Sequence, residues 1–267
     1  MKRSQVFRRP YRVKKKKTIW KNRFFRLGIM IFIFFAILSY FLLFSEFFQV
    51  KQIIITGEEK VSSENIKSLI EKKLENKILF FHTKSLFLVD FKKIRKDILD
   101  SFPQIAKVEI KQGFPDSLDI IVIERLSLAV WCQADDCFLL DNEGVIFETI
   151  SQEHNNYLTI KNLTLNQNPE LGRKVIGREV LDQILKIEPI LKEELKIPLQ
   201  DISIISNERL NIRTFEGWEI YFNPKGDLNW QSTKLRAVLS EEIPAEKRKN
   251  LEYIELRFGN FAPYKYR

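Results

Sequence analysis

The feature that most constrains this 267-residue chain is a run of nineteen uncharged residues, from Leu27 to Ser45, that is apolar on every helical face. A helix of that length spans ~28 Å, close to the hydrocarbon thickness of a bilayer. A buried helix of a globular protein rarely stays apolar all round for so long. A cleaved signal peptide fits less well, because the run is long and no small-residue cleavage pattern follows it. We therefore predict a transmembrane helix over 27–45.

Charge is distributed unevenly about this segment. Residues 1–26 carry twelve Lys and Arg side chains and no acidic one, whereas the other flank begins with Glu46. The positive-inside rule then predicts a basic cytoplasmic tail over 1–26 and places everything after the helix outside the cytoplasmic membrane, in a single-pass protein. The rest of the chain carries 32 of the 44 basic side chains against all 35 acidic ones. The pI near 9.4 therefore reflects the tail and does not indicate nucleic-acid binding.

Two folded regions are predicted after the membrane segment, and together they indicate an α+β protein. In 50–125 the apolar periodicity predicts a strand, two helices and two strands, the last two joined by a turn at Gly113-Phe114-Pro115-Asp116. In 126–267 it predicts an antiparallel sheet with two helices, of which 178–195 is interrupted at Pro189. The other predicted elements of this region are a hairpin with its turn at Asp141-Asn142-Glu143-Gly144, a short strand at 157–160, a meander over 201–222, a helix over 229–241 and a closing strand that reaches Phe258.

The residue types and spacings of an active site are missing from the sequence. No Gly-x-Ser-x-Gly, Ser-x-x-Lys or His-Glu-x-x-His motif occurs. Of the two histidines, His82 lies between the two predicted helices of 50–125 and His154 lies in a polar loop. We therefore expect no catalytic residue, no cofactor and no metal centre. The weak alternative is calcium, because four acidic side chains lie near one turn: Asp135, Asp136, Asp141 and Glu143.

Cys132 and Cys137 lie five residues apart across a predicted turn. Outside the cytoplasm they can close a structural disulfide, and two free thiols are the main alternative. A metal site would need two more ligands, and a redox-active pair would need a signal for a lowered thiol pKa, which this spacing does not give.

Four segments, taken in order, resemble the FtsQ/DivIB family of bacterial cell-division proteins. After the basic tail and membrane span come VKQIIITGEEKVSSENI, IAKVEIKQGFPDSLDIIVIER, AVWCQADDCFLLDNEGVIFE and YIELRFGNFAPYKYR. The resemblance implies a POTRA domain over 50–125 and an FtsQ/DivIB-type second domain over 126–267. It also implies a non-enzymatic divisome scaffold whose partners are small bitopic coiled-coil proteins of the FtsB and FtsL type. One departure is Leu126-Ser127, where many members have a proline after the Glu-Arg pair.

The C-terminal segment is the candidate partner-binding site. A mixed domain that ends in a strand usually leaves that strand or its neighbour at a sheet edge, which another chain can extend. We predict that Arg257 and Phe258 contact the partner, as a charged donor beside an aromatic anchor. Ordinary packing of the last strand is the alternative for both residues. Residues 260–267 are too short to pack alone, but they can extend or cover the edge.

Two other functions remain open from the sequence. The first is a membrane-anchored cell-wall enzyme or a binder of its substrate, which would need converging acid and base groups. The second is a POTRA-containing transport component, which usually carries several such modules.

Overall fold

A computed structural model of the chain describes residues 23–78, 81–151, 157–164 and 168–267, with the side chains of 76–82 outside the description. Most of the basic tail therefore lies outside the described residues. The chain divides into two compact units. The first unit comprises the residues up to 52 with 74–89 and 112–118, and the second comprises 53–73, 90–111 and 119–267. The domain limits at 125 and 126 stay a prediction.

The apolar run forms one long helix, α1 (Arg23–Phe44), which confirms the predicted helix within a few residues. Within the described ranges it is the one helix long and apolar enough to cross a membrane, and none of its residues is buried. The chain therefore carries an apolar helix suited to a single-pass membrane anchor. The hydroxyl of Ser45 caps the following 3-10 turn by accepting a hydrogen bond from the N–H of Phe47 (3.3 Å).

The region 50–125 contains the predicted strand, two helices and two strands in that order, with an additional short strand pair between the helices. Its elements are β1 (Gln52–Thr56), α2 (Ser63–Leu74), β2 (Asn76–Ile78), β3 (Phe81–Thr83), α3 (Phe91–Ser101), β4 (Ile105–Gly113) and β5 (Ser117–Glu124). β5 lies between β1 and β4 in a three-stranded sheet, and β2 pairs with β3 separately. The sequence did not predict the β2–β3 pair, because three residues are too few to establish an alternating pattern.

A nine-stranded sheet and two helices make up the region after Leu128. Its elements are β6 (Ala129–Gln133), β7 (Asp136–Leu140), β8 (Ile146–Ile150), β9 (Leu158–Asn162), α4 (Arg178–Pro189), β10 (Leu199–Ser206), β11 (Arg209–Thr214), β12 (Glu219–Phe222), α5 (Leu228–Glu241), β13 (Leu251–Glu255) and β14 (Tyr264–Tyr266). The strand order is β8-β7-β6-β9-β10-β11-β12-β13-β14.

The sheet is mixed, which corrects the prediction of an antiparallel sheet. β9 runs parallel to β6 and β10, and β12 runs parallel to β13, whereas the other neighbours are antiparallel. The reason for two of the parallel pairs lies in the helices. α4 connects β9 to β10, and α5 connects β12 to β13, and a helical crossover returns the chain in the same direction.

The main core lies where α4 and α5 pack against the sheet. α4 contributes Leu181, Ile184 and Ile187, α5 contributes Leu235, Val238 and Leu239, and the strands add Trp131, Trp218 and a set of isoleucines. The α-helix α4 ends at Pro189 and continues as a π-helical turn over Ile190–Glu194, which confirms the predicted interruption. The predicted hairpin turn is also present, with Gly144 at a φ of +81° that favours glycine.

Candidate partner-binding edge

β14 forms one end of the nine-stranded sheet and pairs there with β13. Two main-chain hydrogen bonds hold the ends of the segment in place. The N–H of Glu255 donates to the carbonyl of Pro263 (2.7 Å), and the N–H of Arg267 donates to the carbonyl of Asn250 (2.9 Å). Residues 260–267 thus extend the sheet by one strand, as the sequence allowed, and the available edge belongs to β14.

The register of β14 determines which of its main-chain groups face outward. The carbonyl of Pro263 and the N–H of Arg267 form hydrogen bonds toward β13. In an antiparallel strand, every second residue directs its main-chain groups to the same side. Tyr264 and Tyr266 therefore direct their N–H and C=O groups away from the sheet. An added strand can form main-chain hydrogen bonds to these groups.

Arg257 and Phe258 lie in the loop after β13. The predicted closing strand is wrong at its C-terminal end: it stops at Glu255, because the chain must turn back before β14 can pair with β13. The guanidinium of Arg257 donates from Nε and Nη2 to the two carboxylate oxygens of Glu255 (2.9 and 2.7 Å). These hydrogen bonds raise the pKa of Arg257 above its usual value. Its guanidinium carbon also lies 4.7 Å from the centre of the Phe258 ring, which is 61% exposed.

Lys234 of α5 holds the same loop from the inside. The residue is 6% exposed, and its ammonium donates to the carbonyls of Leu256 (2.6 Å) and Gly259 (3.1 Å), with those of Phe258 and Phe261 at 3.3 Å. Burial lowers the pKa of Lys234, and the nearby Glu255 opposes that effect. Because the ammonium of Lys234 contacts four carbonyls of the loop, it fixes the shape of the loop, whose aromatic side chains are exposed.

The sequence analysis missed Lys234, although a signal was present. Lys234 stands beside Leu235 and four residues before Val238, on the apolar stripe of the predicted helix. A charged residue in such a stripe indicates a buried partner rather than a solvated side chain.

A groove of about 650 Å³ adjoins β14, between α5 and residues 260–264. Trp230 lines it from α5 and Phe261 from the loop, and they are 45% and 77% exposed. Exposed aromatic side chains beside an open strand edge provide the anchors that peptide partners commonly use.

A row of stacked side chains crosses one face of the sheet, from β11 to β13. The rings of Tyr221 on β12 and Tyr253 on β13 stack with centres 5.0 Å apart. The guanidinium carbon of Arg209 lies 4.3 Å from the centre of the Tyr221 ring. This rigid surface lies next to Arg257, because Tyr221 pairs with Glu255 in the sheet register.

The opposite end of the sheet is built differently, because a loop covers the start of β8. The N–H of Ile146 donates to the carbonyl of Arg173 (3.1 Å), and the N–H of Gly172 donates to the carbonyl of Ile146 (2.7 Å). The N–H of Val175 donates to the carbonyl of Gly144 (2.8 Å). Residues 172–175 thus already pair with the start of β8, in the place that an added strand would take.

Two family models match the chain. The POTRA domain, FtsQ-type, matches residues 48–125, and the model "Cell division protein FtsQ/DivIB, C-terminal" matches residues 129–257. The chain belongs to the FtsQ/DivIB family of cell-division proteins. The resemblance found in the sequence is thereby confirmed, whereas β14 lies beyond the matched residues.

Three curated FtsQ/DivIB proteins are similar to the chain. The cell division protein DivIB of Clostridium acetobutylicum is 28% identical over 220 residues, which cover 80% of this chain and 82% of that protein. FtsQ of Novosphingobium aromaticivorans is 25% identical over 61% of this chain and 46% of that protein. FtsQ of Mycobacteroides abscessus is 24% identical over 40% of this chain and 31% of that protein. The alignments thus cover less than half of the two FtsQ relatives.

Arg125 belongs to the Glu-Arg pair of the FtsQ/DivIB resemblance. It contacts residues of two other segments, the loop after α3 and the turn after β7. Its N–H donates to the carbonyl of Gln104 (2.7 Å), its Nε donates to the carbonyl of Pro103 (3.1 Å), and its guanidinium pairs with the buried carboxylate of Asp141. Asp141 also accepts from the N–H groups of the turn. The carboxylate considered as a calcium ligand is therefore occupied by protein donors.

The remaining candidates from the sequence divide between described and undescribed residues. Cys132 and Cys137 face each other across β6 and β7, with their sulfur atoms 2.03 Å apart. The structural disulfide stays a prediction, as do the partner contacts of Arg257 and Phe258. His154 and the side chain of His82 lie outside the description. Among the described side chains, no group of three His, Cys, Asp or Glu could hold a metal ion.

Proposed function

We propose that this FtsQ/DivIB protein is a non-enzymatic scaffold of the division machinery, which captures a partner by strand addition at β14. The observation that carries the proposal is the contrast between the two ends of the nine-stranded sheet. A loop pairs with the start of β8, whereas β14 directs the main-chain groups of two residues outward. Such an edge, beside a groove with exposed aromatic side chains, suits an extended peptide segment.

The family resemblance supports the partner class. Small bitopic coiled-coil proteins of the FtsB and FtsL type are the proposed occupants, with one extended segment added to β14. Phe258 would enter a hydrophobic pocket of the partner, and an acidic partner residue would share Arg257 with Glu255. A guanidinium has five N–H donors, so its two bonds to Glu255 leave donors for a second carboxylate.

The proposed orientation places the N-terminus in the cytoplasm and the folded regions outside it. The twelve basic residues that precede the apolar run 27–45 support this orientation. In intact cells, an impermeant thiol reagent should label a cysteine placed at Ser151 and miss one placed at Ser4. The reverse pattern would overturn the orientation.

The rival function, a membrane-anchored cell-wall enzyme or substrate binder, receives less support. A second groove of about 640 Å³ carries Glu170 and Arg173 in its lining. Their side chains lie 3.5 Å apart as a solvent-exposed ion pair, which is an ordinary surface contact. The open strand edge is a more specific feature than this groove.

Capture of an FtsB-type partner by the full-length chain in detergent tests the proposal. Phe258→Ala should weaken capture by about 1–3 kcal/mol, roughly five- to more than a hundredfold, because it removes the exposed anchor. Arg257→Ala should also weaken capture, by removing the charged donor.

Two controls accompany these variants. Phe215→Ala removes another exposed phenylalanine, in the turn between β11 and β12, and Lys16→Ala removes a charge of the basic tail. Both should capture like the wild type. Wild-type capture by folded Phe258→Ala and Arg257→Ala proteins would place the interface elsewhere.

A further inference from the structure

Three exposed phenylalanines form a patch in the first unit. Phe47, Phe87 and Phe114 are 57%, 46% and 63% exposed, and they come from three separate stretches of chain. The ring of Phe48 joins them, with its centre 5.0 Å from that of Phe47, 5.4 Å from Phe87 and 6.0 Å from Phe114. Phe87 and Phe114 also contact each other at 5.9 Å. We call Phe47, Phe48, Phe87 and Phe114 the phenylalanine patch.

A ring contact to α1 gives the depth of the patch. The centre of the Phe48 ring lies 5.8 Å from that of Phe41, which is three residues before the end of the helix. At about 1.5 Å per residue, Phe41 lies ~4.5 Å inside the helix end. Phe48, which joins the other rings of the patch, therefore lies beside the last turn of the membrane anchor.

Hydrogen bonds hold this arrangement together. The hydroxyl of Thr83 donates to the carbonyl of Leu43 (2.6 Å), and the hydroxyl of Ser85 donates to the carbonyl of Leu42 (3.1 Å). Both carbonyls belong to the last turn of α1, where the helix leaves its carbonyls without helical partners. The segment before Phe87 is thus attached directly to the end of the anchor.

We propose that the phenylalanine patch inserts into the lipid bilayer, at the boundary between headgroups and acyl chains, and so forms a second membrane contact beside α1. Its position at the last turn of a helix that carries no charge from Leu27 onward and buries none of its residues argues for lipid as the occupant. Exposed aromatic rings at that level lower their free energy by leaving water for the membrane interface. The inference rests on the membrane anchoring by α1 and goes beyond the scaffold function.

Depth-dependent quenching in the full-length chain tests the inference. In a background with both native cysteines changed to serine, a single cysteine at Phe114 carries an environment-sensitive fluorophore. The protein is reconstituted in vesicles of equal parts phosphatidylcholine and phosphatidylglycerol, with lipids that carry a quencher near the headgroup end of the acyl chain. Phe41→Cys is the control for a position inside the membrane, and Phe215→Cys is the control for an exposed phenylalanine in the second unit.

We expect the label at Phe114 to be quenched several-fold more strongly than the label at Phe215, and to approach the quenching at Phe41. A label at Phe87 should behave in the same way, which guards against a local effect of the Phe114 substitution. Quenching at Phe41 with none at Phe87 and Phe114 would overturn the inference and leave the anchoring intact. Absence of quenching at Phe41 would overturn the anchoring and the inference together. Shielding of Phe114 from aqueous iodide without lipid quenching would indicate a protein cover and also overturn it.

Discussion

The two ends of the nine-stranded sheet use their main-chain groups in opposite ways. At β8 the loop that contains Gly172 and Val175 pairs with the start of the strand, so this part of the edge is closed within the chain. At β14 the residues that face outward have no strand beside them in the sheet order, and exposed aromatic side chains surround them. Unprotected edges promote unwanted pairing, and proteins usually cover or shorten them. The difference supports the proposal that a partner pairs with the three-residue edge of β14.

The strongest test of this difference is a proline at the open edge. Tyr264→Pro removes an outward N–H and places a ring where the added strand would lie, so partner capture should fall about ten- to a hundredfold. The free energy of unfolding should change little, because this N–H does not bond to β13. Capture by the full-length protein and chemical denaturation measure the two effects.

Tyr264→Ala is the matched control, because it removes the ring and keeps the N–H. It should lose less capture than Tyr264→Pro. Equal capture by folded Tyr264→Pro and wild-type proteins would contradict strand addition at β14.

The disulfide predicted between β6 and β7 tests whether a change far from β14 affects stability without affecting partner capture. Changing Cys132 and Cys137 together to serine should lower the free energy of unfolding by about 2 kcal/mol, the loop-closure value for so short a loop. Partner capture should be unchanged, because β6 and β7 lie at the far end of the strand order from β14.

Mass analysis of the native protein without reductant provides the direct check. The peptide that contains both cysteines should be two hydrogens lighter than its reduced form. Two alkylatable thiols in protein purified from its own compartment would contradict the disulfide.

A proline at the closed edge should give the reverse of the Tyr264 result. Val175→Pro removes the N–H that bonds to the carbonyl of Gly144, so the free energy of unfolding should fall by about 1–2 kcal/mol. Capture per folded molecule should stay at the wild-type level. Val175→Ala keeps the donor and should cost less, and loss of capture in Val175→Pro would mean that the two edges are not independent.

Much of this arrangement could be predicted from the sequence, because local patterns carry it. The alternation in β4 and β5, the stripe on α4 and the glycine turn at Gly144 each depend on neighbouring residues. The order of elements and the family resemblance then gave the fold class. The same local patterns placed Arg257 and Phe258 in the closing strand, which in the structure ends two residues before Arg257.

The features that distinguish the two edges could not be predicted, because they depend on distant pairings. β14 has three residues after a proline, which is too short for a strand signal. The loop that covers β8 has no apolar alternation, since its contacts are made by main-chain groups of Gly172, Arg173 and Val175. Parallel pairing of β9 with β6 and β10 likewise joins residues far apart in sequence.

The smallest expected effect comes from Glu124, and it tests whether a loss of overall stability alone changes partner capture. Glu124 lies on β5, outside the nine-stranded sheet, and its carboxylate accepts from the N–H groups of Glu59 (2.9 Å), Lys60 (3.0 Å) and Val61 (2.9 Å). Burial raises the pKa of Glu124, but these hydrogen bonds outweigh it and hold the pKa below its ordinary value of 4.5. The ionised carboxylate therefore stabilises the folded state.

Glu124→Gln should lower the free energy of unfolding by about 1 kcal/mol at neutral pH, because it weakens charge-assisted hydrogen bonds. A depressed folded pKa gives stability that is present above the unfolded value and is lost as the pH falls through the folded value. The difference between wild type and Glu124→Gln should therefore shrink below pH 4.5, as measured by denaturation at a series of pH values. Glu71→Gln, at an exposed position of α2, is the matched control and should lower the free energy of unfolding less than Glu124→Gln at neutral pH. Partner capture at neutral pH should be the same for Glu124→Gln and wild type. If capture fell in step with stability, overall stability and not the open edge of β14 would govern binding.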